Sequence, residues 1–450
     1  MNSHCGQEDA VLRYYLYDEP PAITIKDNLS KIMPFLKQTA LRPPIMASYY
    51  INPAWISKGE LGGAWIRMDF PQPVTINRIV LEDRPQIVDN ILDSSLDFSY
   101  GTSIDTGALP KTGNPPDSGQ VEVIFEDKIV SWVRFNVVQG EGNAVGLNTF
   151  KAFYNGQDLS WLAQATSSSQ DSYPMGGPAE YATIGNILDI SEYYLGPEEF
   201  FIYIYPFWGA DHAYGLAPYS GPAYQPWLDT HLYYSLEKVR DAGLRHGKDF
   251  WIIVQAFSLK NAGGEIWRSP SPEEIRLQVY SAMAYGTKGV WYFMYSSFVN
   301  PVTGDNITGI VDYVDSGYQH GTEPFLSRYG EVQAINQELE ILGPLMVNLT
   351  STHVYNWSQP QGNVASVAGQ DVQLGEFIGQ NGDGYLMIVN RDTQSSNAVS
   401  VDYLSGDTEG SQVVVTNMLA NQAEILTISG GKITIIRSLA PGDGILLRIG

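Results

Sequence analysis

The stretch RSPSPEEIRLQVYSAMAYGTKGVWYFMY, residues 268–295, decides the predicted fold more than any other part of the chain. Ser271, Pro272 and two following glutamates are typical of a helix N-terminus, where acidic side chains complement the helix dipole. The apolar run GVWYFMYSS, residues 289–297, follows almost at once and predicts a buried strand. A helix that leads directly into an apolar strand indicates one unit of an α/β architecture.

The same alternation extends toward the N-terminus. EFFIYIYPFWG (199–209) and DFWIIVQAFS (249–258) are predicted strands, and residues 227–248 between them form an amphipathic helical pattern. Near-continuous apolar strands separated by helices predict a parallel sheet covered by helices. With VLRYYLY (11–17) and PIMASYYI (44–51), about five such strands are visible, whereas a closed (β/α) barrel has eight. We therefore expect a partial TIM-type barrel, either truncated at its N-terminus or completed by another chain.

In two other segments, apolar and polar residues alternate with the two-residue period of β-strands. Residues 64–154 contain short alternating strands separated by turn-rich spacers, which predicts a β-sandwich. From His353 onward the same alternation returns without helices. The expected domains are a first barrel part at 1–50, a β-sandwich at 51–160, a second barrel part at 161–350 and a C-terminal antiparallel β-sandwich at 351–450.

Charge and composition restrict the partners. The formal net charge is −23 and basic residues form no cluster, which argues against nucleic acid and anionic membrane. The six histidines are scattered and show no HExxH pattern, so we predict neither a metal site nor a cofactor. The start MNSHCGQEDAVLRYY lacks the pattern of a secretory signal, which leaves localisation open: cytoplasmic as it stands, secreted if the N-terminus is truncated.

Ten tryptophans and 28 tyrosines are more aromatic residues than cores usually need. Their rings combine a flat apolar face with a polar edge, which suits stacking on sugar rings, although β-domains also use aromatics in their cores.

Five pieces of the chain resemble clan-A-like (β/α)-barrel glycoside hydrolases, particularly bacterial proteins related to β-galactosidases and cellulases. The pieces are YYLYDEP (14–20), YIYPF (203–207), FWIIVQAF (250–257), residues 268–295 and the β-rich tail. The resemblance implies hydrolysis of β-linked, galactose- or glucose-containing glycosides. It also makes YYLYDEP the fourth barrel strand and GVWYFMY (289–295) the eighth.

The β-rich insert resembles discoidin-type (coagulation factor 5/8) modules, many of which bind galactose-like sugars. The resemblance lies in AWIRMDFPQPVTINRIVLEDR (64–84), LDFSYG (96–101) and VSWVRFNVVQGEGNAVGLNTFKAFYNG (130–156). Asn148 or Thr149 stands where such modules usually have an acidic residue.

Glycoside hydrolysis needs two carboxyl groups. The resemblance places Glu19 at the acid/base position, where neighbouring Asp18 favours its protonated form by like-charge repulsion. The usual nucleophile position holds Gln255, and glutamine cannot attack an anomeric carbon. Glu265 or Asp211 is then the candidate second carboxylate.

The expected catalytic region also includes side chains that contact the substrate. We expect Glu265 in a flexible loop, where Arg268 either binds substrate or pairs with Glu265 on the surface. Trp208 and Trp267 are predicted loop positions, and at least one of Trp291 and Tyr295 is expected in the core. The predicted substrate-binding residues are Asp18, Tyr205, Trp208, His212, Gln255, Arg268, Trp291 and Tyr295.

Three functions remain open at this point. The first is a glycosidase with Glu19 as proton donor and an oligosaccharide or glycoside as substrate. The second is a carbohydrate-binding protein with a degenerate barrel and no catalysis. The third is an assembly protein, in which a homo-oligomer covers the open edges of the partial barrel.

Overall fold

The computed structural model describes residues 54–84, 89–110, 120–170, 179–183, 187–212, 215–300, 302–311 and 327–450. The chain separates into two compact units. Unit 1 comprises residues 1–202 and 241–248, and unit 2 comprises residues 203–240 and 249–450.

Unit 1 contains an extended antiparallel sheet with the strand order β1-β6-β2-β5-β3-β4, in which β7 pairs with β6 and β8 with β2. These strands are β1 (Trp55–Ile56), β2 (Trp65–Asp83), β3 (Asn90–Phe98), β4 (Ser103–Asp105), β5 (Gln120–Glu141), β6 (Gly146–Tyr154), β7 (Gln157–Asp158) and β8 (Gln164–Ser167). A 3-10 turn at Ser160–Leu162 and two helices, α1 (Ala179–Thr183) and α2 (Ile187–Leu195), follow.

The long strands β2 and β5 organise this sheet. Their register shifts between Asp69 and Val74, a segment that contains Pro71 and Pro73. Proline cannot donate to a ladder, so the strand is interrupted there and continues with a new register. On either side of the shift, alternate residues of β2 point into the core, among them the fully buried Ile66, Met68 and Ile79.

Most of the α/β part of the chain belongs to unit 2, whereas its residues 199–202 and 241–248 belong to unit 1. A three-stranded sheet has the order β13-β10-β9, with β9 (Glu199–Ile204), β10 (Asp249–Gln255) and β13 (Gly289–Phe293). β10 and β13 are parallel, as predicted, with Trp251 opposite Gly289 and Gln255 opposite Phe293. The boundary between the two units falls inside β9, after Ile202.

The remaining elements before the C-terminal region are as follows. The helical segment between β9 and β10 consists of α3 (Tyr224–Leu228), a π-helical turn (Asp229–Tyr233) and α4 (Tyr234–His246). A small antiparallel sheet has the order β12-β11-β15-β14, with β11 (Ser258–Asn261), β12 (Gly264–Trp267), β14 (Phe298–Val299) and β15 (Asn306–Thr308). The two further helices are α5 (Pro272–Tyr285) and α6 (Ser327–Met346).

Helix α5 begins as the sequence predicts. The Ser271 side chain accepts a hydrogen bond from the Glu274 amide at 3.1 Å, and the Glu274 carboxylate accepts one from the Ser271 amide at 2.8 Å. This is a capping box, with Pro272 at the first helical position. The helix ends at Gly286, whose left-handed φ of 94° suits glycine.

The C-terminal region folds as two antiparallel sheets around one apolar core. One sheet has the order β16-β18-β19-β24-β21-β22 and the other β17-β20-β23. The strands are β16 (Leu349–Asn356), β17 (Val364–Ala368), β18 (Val372–Gly379), β19 (Gly384–Asn390), β20 (Asn397–Leu404), β21 (Gln412–Asn417), β22 (Gln422–Thr427), β23 (Lys432–Leu439) and β24 (Gly444–Ile449).

Helix α5 packs against the outer face of the larger of these sheets. A methyl group at Gly375 would lie 2.1 Å from the Ala284 carbonyl oxygen, and one at Gly444 would lie 2.4 Å from the Tyr280 ring. Glycine at these positions therefore allows the helix to approach the strands closely. The same helix contacts β10 on its other side, so it is enclosed by sheet on two sides.

The prediction of a β-rich chain with several sheets is confirmed, whereas a TIM-type barrel is not shown by the described residues. The domain limits stated above and the discoidin-like character of the insert remain predictions. In the part of the chain that the structure covers, no helix has the length and apolarity that crossing a membrane requires.

Candidate functional site

Aromatic rings lie at the carboxyl ends of β9, β10 and β13, of which β10 and β13 are parallel. Phe293 is the last residue of β13, Phe257 follows β10 by two residues, and Tyr205 follows β9 directly. Their ring centroids lie 5.0 to 5.8 Å apart, so the three rings touch one another. The carboxyl edge of a parallel sheet is where α/β proteins place their binding sites.

The ring contacts continue from Phe257 to Trp208. Trp267 lies 5.9 Å from Phe257, His212 lies 5.8 Å from Trp267, and His212 stacks on Trp208 at 4.1 Å. We call this continuous set the aromatic edge; it comprises Tyr205, Trp208, His212, Phe257, Trp267 and Phe293.

Backbone pairing joins the loop after β9 to strand β12. Trp208 and Trp267 form an antiparallel bridge, and the Gly209 amide donates to the Ile266 carbonyl at 2.8 Å. Trp267 is the last residue of β12, so its predicted loop position was wrong. The pairing holds both tryptophans in fixed positions.

Asp211 and Glu265, the two candidate second carboxylates, are neighbours in this pairing. The Asp211 amide donates to the Glu265 carbonyl at 3.0 Å, and the Glu265 amide donates to Asp211 Oδ2 at 2.8 Å. Glu265 was expected in a flexible loop, but it lies within β12 and is 3.8 Å from the Lys260 ammonium. Two acids therefore lie beside the Trp208–Trp267 pair at partly or fully exposed positions.

Gln255 has a structural position, contrary to its expected role as a substrate ligand. It is fully buried, and its Oε1 accepts a hydrogen bond from the Phe207 amide at 2.9 Å. Its Nε2 donates to the carbonyls of Phe207 and Arg268 at 3.1 and 3.0 Å. Because the oxygen and the nitrogen of the carboxamide both form hydrogen bonds with main-chain groups, Gln255 fixes the loops around the aromatic edge.

Arg268 is also interior, so the expected surface pairing with Glu265 was wrong. Its exposed fraction is 1%, and its guanidinium forms two hydrogen bonds to the Glu274 carboxylate at 2.6 and 2.7 Å. The guanidinium also lies over the Tyr219 ring at 4.1 Å. A buried charge is stable only when it is paired in this way, because burial removes its hydration. The pair ties the end of β12 to the first turn of α5.

Trp291 and Tyr295 are both exposed, by 46% and 54%, so the expectation that at least one lies in the core was wrong. Trp291 and Phe293 are alternate residues of β13 and therefore share one face of the strand. Phe293 is 38% exposed. The described residues thus leave this aromatic face of β13 largely open.

His231 is a residue of this region that the sequence did not indicate. Its Nδ1 lies 3.0 Å from the Trp227 carbonyl, which can only accept, so this nitrogen carries the proton in the neutral ring. Trp227 stacks on the His231 ring at 3.9 Å, and Trp208 contacts it edge-on at 4.6 Å. Burial, and to a smaller extent the charge of His212, lowers the pKa of His231 to about 4. In the sequence, the four-residue spacing of Trp227 and His231 is the pattern that predicts contact between these two side chains on a helix.

His212 is partly buried on the face of Trp208, and burial lowers its pKa as well. Both histidines are therefore neutral at neutral pH. Glu19 and Asp18 lie outside the described residues, so their predicted roles stay predictions. Within the described ranges no group of three or more His, Cys, Asp or Glu side chains is arranged to hold a metal ion.

One family model matches part of the chain. Residues 50–153 match a family described as a domain of unknown function (DUF7402). No curated protein matches the chain.

Solved structures that are similar to parts of this chain include carbohydrate-binding modules and glycoside hydrolases. A chitosan-binding module from a chitosanase/glucanase of Paenibacillus sp. IK-5 is 19% identical over 22% of this chain and 76% of its own, with a TM-score of 0.17. CBM32-1 from a family 31 glycoside hydrolase of Clostridium perfringens is 10% identical over 32% and 92%, with a TM-score of 0.20. A rhamnosidase from Novosphingobium sp. PP1Y is 8% identical over 88% and 68%, with a TM-score of 0.22. Similarities this weak do not establish a shared fold.

Replacing Glu274 by Gln tests the buried pair with Arg268. We expect the free energy of unfolding to fall by roughly 3 to 5 kcal/mol, because the guanidinium stays buried without a countercharge. Urea unfolding of the purified chain measures the change. Glu273→Gln, which removes a charge from the same helical turn without touching Arg268, should cost less than about 1 kcal/mol. Equal effects of the two substitutions would contradict the role of the pair.

Because the pKa of His231 is low in the folded state, we predict that the free energy of unfolding falls in acid. Between pH 6.5 and about 4 the unfolded state binds a proton that the folded state excludes, so stability is complete above pH 6.5 and falls as the pH drops. From pH 7 to pH 4 the wild type should lose on the order of 2 to 3 kcal/mol more than His231→Phe. Urea unfolding at several pH values measures this difference. His353→Asn, at an exposed position, is the control and should show the same dependence of unfolding free energy on pH as the wild type. The same dependence in His231→Phe as in the wild type would refute the assignment of the acid-induced loss to His231.

Proposed function

We propose that this chain is a carbohydrate-active protein that binds a sugar along the aromatic edge and cleaves β-linked glycosides. The observation that carries the proposal is the unbroken series of ring contacts from Phe293 to Trp208, which begins at the carboxyl ends of β9, β10 and β13. The exposed rings of Trp291 and Tyr295 on the same stretch extend the apolar surface. Flat rings stack well on the C–H faces of pyranose rings.

Polar groups beside the rings favour a sugar over a purely apolar ligand. The neutral His212 lies between Trp208 and Trp267, and the carboxylates of Asp211 and Glu265 belong to the same paired segments. In binding sites lined by aromatic side chains, a few polar groups at defined positions orient a polyhydroxylated ligand. Carboxylates accept hydrogen bonds from sugar hydroxyls, and imidazole offers a donor and an acceptor.

Hydrolysis is the finer part of the proposal. Glu19 acts as proton donor, and Asp211 or Glu265 supplies the second carboxyl group, as nucleophile or as base. The proposed substrates are β-galactosides first and β-glucosides second, following the resemblance to β-galactosidase-related enzymes. Gln255 takes no part in the reaction, because its carboxamide is fully occupied by main-chain groups.

Sugar binding without catalysis is the second candidate function. The observation that favours it is Gln255 itself, since a buried amide occupies the position where the resemblance places a nucleophile. In that case the aromatic edge binds glycans, and Asp211 and Glu265 serve only as hydrogen-bond acceptors. The two functions differ in turnover, which the second experiment below measures.

Trp291→Ala tests sugar binding at the aromatic edge. We expect the affinity for lactose and cellobiose to fall roughly fivefold to tenfold, because an exposed stacking surface is lost. Isothermal titration calorimetry of the full chain measures the dissociation constants. Trp161→Ala, in unit 1, removes a tryptophan of similar exposure and should leave them unchanged. Equal affinity of Trp291→Ala and wild type would remove this strand from the sugar site.

Glu19→Gln tests the proton donor. We expect kcat/KM for methyl β-galactoside to fall by about 10² to 10⁴, and that for a 2,4-dinitrophenyl β-galactoside much less, because a good leaving group needs little protonation. Asp211→Asn and Glu265→Gln, assayed in parallel, identify the second carboxyl group by which of them is inactive on both substrates. Glu340→Gln, at an exposed position of α6, is the matched control.

The outcomes of this assay separate the two candidate functions. Sugar binding by a wild-type chain that hydrolyses neither substrate would replace the hydrolase proposal by the binding one. Full activity of Glu19→Gln on both substrates would exclude Glu19 from the mechanism.

A further inference from the structure

The helical segment between β9 and β10 has two faces with different contacts. Gln225, Asp229 and Tyr233 recur every four residues along one face, and Trp227 and His231 recur along the other. Residues four apart in a helix lie one above the other, whereas residues two apart point in nearly opposite directions. The first face contacts the C-terminal region, and the second contacts the aromatic edge.

The second face supports one end of the aromatic edge. The Trp227 ring lies 5.0 Å from the Trp208 ring, and the His231 ring lies 4.6 Å from it. Trp227 Nε1 also donates to the Pro206 carbonyl at 2.8 Å, in the loop that leads to Trp208. The position of Trp208 in the aromatic edge therefore depends on where this helical face lies.

A π-helical turn, Asp229–Tyr233, lies at the centre of the segment. Its side chains support the widened main chain, since Thr230 Oγ1 and His231 Nδ1 each lie 3.0 Å from the carbonyl oxygen four residues earlier and donate to it. π-Helices are rare and occur mostly as single turns, frequently at functional sites. Contacts from outside the helix are therefore needed to keep such a turn in one position.

The loop between β19 and β20 provides these contacts on the first face. The Arg391 guanidinium donates to the Asp229 carboxylate and lies over the Tyr233 ring at 4.1 Å. The Arg391 carbonyl accepts a hydrogen bond from Gln225 Nε2 at 3.1 Å. We call this set the Arg391 clamp; it comprises Gln225, Asp229, Tyr233 and Arg391.

The loop that carries Arg391 is itself fixed to the C-terminal region. Asn390 is fully buried, and its Nδ2 donates to the carbonyls of Ser395 and Ala440, each at 2.9 Å. The Asp392 carboxylate accepts a hydrogen bond from the Ser395 amide at 3.2 Å. Arg391 therefore reaches the helical segment from a rigid base.

Burial makes the clamp resist displacement. The Arg391 side chain is 4% exposed, so its charge has little access to water and depends on the Asp229 carboxylate. A shift of the helical segment would separate these charges and move Tyr233 from under the guanidinium. A planar guanidinium that both stacks on a ring and pairs with a carboxylate fixes distance and orientation together.

We infer that Arg391 is a positioning residue of the aromatic edge. Its clamp on the far face of the helical segment holds Trp227 and His231 against Trp208. The effect on sugar binding rests on the function proposed above, whereas the positioning itself does not.

The double variant Arg391→Met/Asp229→Asn tests the inference. It removes one charge of each sign, so no uncompensated charge stays buried. We expect the pKa of His231 to rise from about 4 to above about 5, because burial lowers this pKa and a displaced segment exposes the ring to water. The charge of His212, which has a smaller effect on this pKa, is retained in the variant.

Nuclear magnetic resonance of the full chain with ¹³C-labelled histidine measures the pKa. The chain has six histidines, and the signal that is missing from His231→Phe belongs to His231. Arg391→Lys keeps a charge beside Asp229 but lacks the planar group over Tyr233, so it should raise the pKa of His231 less than the double variant does.

The matched control is Arg437→Met/Glu424→Gln. It removes another arginine–carboxylate pair of the C-terminal region, between β23 and β22. This control should keep the pKa of His231 at the wild-type value, and thermal unfolding confirms that each variant is folded. A general loss of stability would act in both double variants, whereas loss of the clamp acts in one.

Isothermal titration calorimetry with lactose and cellobiose separates this inference from the proposed function. If the wild type binds either sugar, we expect the Arg391→Met/Asp229→Asn variant to bind it roughly threefold more weakly or worse. A raised pKa of His231 together with a wild type that binds neither sugar would refute the proposed function and support the positioning role.

Three results would overturn the inference. The first is an unchanged pKa of His231 in the Arg391→Met/Asp229→Asn variant, and the second is an equal rise in the control. The third is a raised pKa of His231 with unchanged affinity for a sugar that the wild type binds.

Discussion

Helix α5 is buried along almost its whole length, and the structure of unit 2 depends on how its polar groups are paired. The Arg268–Glu274 ion pair holds the end of β12 against its first turn, and Gln278 exchanges hydrogen bonds with the main chain of Gln255 at the end of β10. Unpaired, each of these groups would cost several kcal/mol in an apolar interior. The Arg268–Glu274 pair and the Gln278–Gln255 hydrogen bonds therefore fix where the loops of the aromatic edge begin. Arg276 of the same helix is also paired, since it contacts the carboxylates of Glu331, Glu338 and Asp443.

This pairing divides the polar residues of unit 2 into two groups. Glu274, Gln278 and Gln255 are buried and occupied by protein partners, so they maintain the geometry of the region. Asp211 and Glu265 lie on the pairing between the loop after β9 and strand β12, at more exposed positions where a ligand can reach them. Unit 1 has a comparable alternation, because buried core side chains alternate with more exposed ones along much of β2 and β5. In unit 2 the packed interior positions the side chains to which we assign binding.

Local sequence patterns predicted the helices and strands well, because interactions between residues close in sequence determine where these elements form. The Ser271–Pro272 start of α5, the parallel strands β10 and β13, and the alternating strands of the β-domains all follow from capping, chain stiffness and hydrophobic period. Three of the predicted substrate-binding residues, Tyr205, Trp208 and His212, lie in one connected set of rings, and their role in binding stays a prediction. The individual roles of site residues were less predictable. Arg268 and Gln255 were expected at the substrate and are buried, whereas Trp291 and Tyr295 are exposed.

The sequence by itself determined which residues share a face of a strand or helix, because the periods of 2.0 and 3.6 are properties of the backbone. It also determined the low content of basic residues, from which we predict that polyanions are not partners of the chain. Only the tertiary structure decided which of those faces is covered, since the covering residues are distant in the chain. Arg268 is buried because α5 places Glu274 beside it, and Gln255 because the loop at Phe207 folds over it. Trp291 is as apolar as Ile253, its partner on β10, yet Trp291 is 46% exposed and Ile253 is buried, because burial depends on the surroundings of a residue and not on its type.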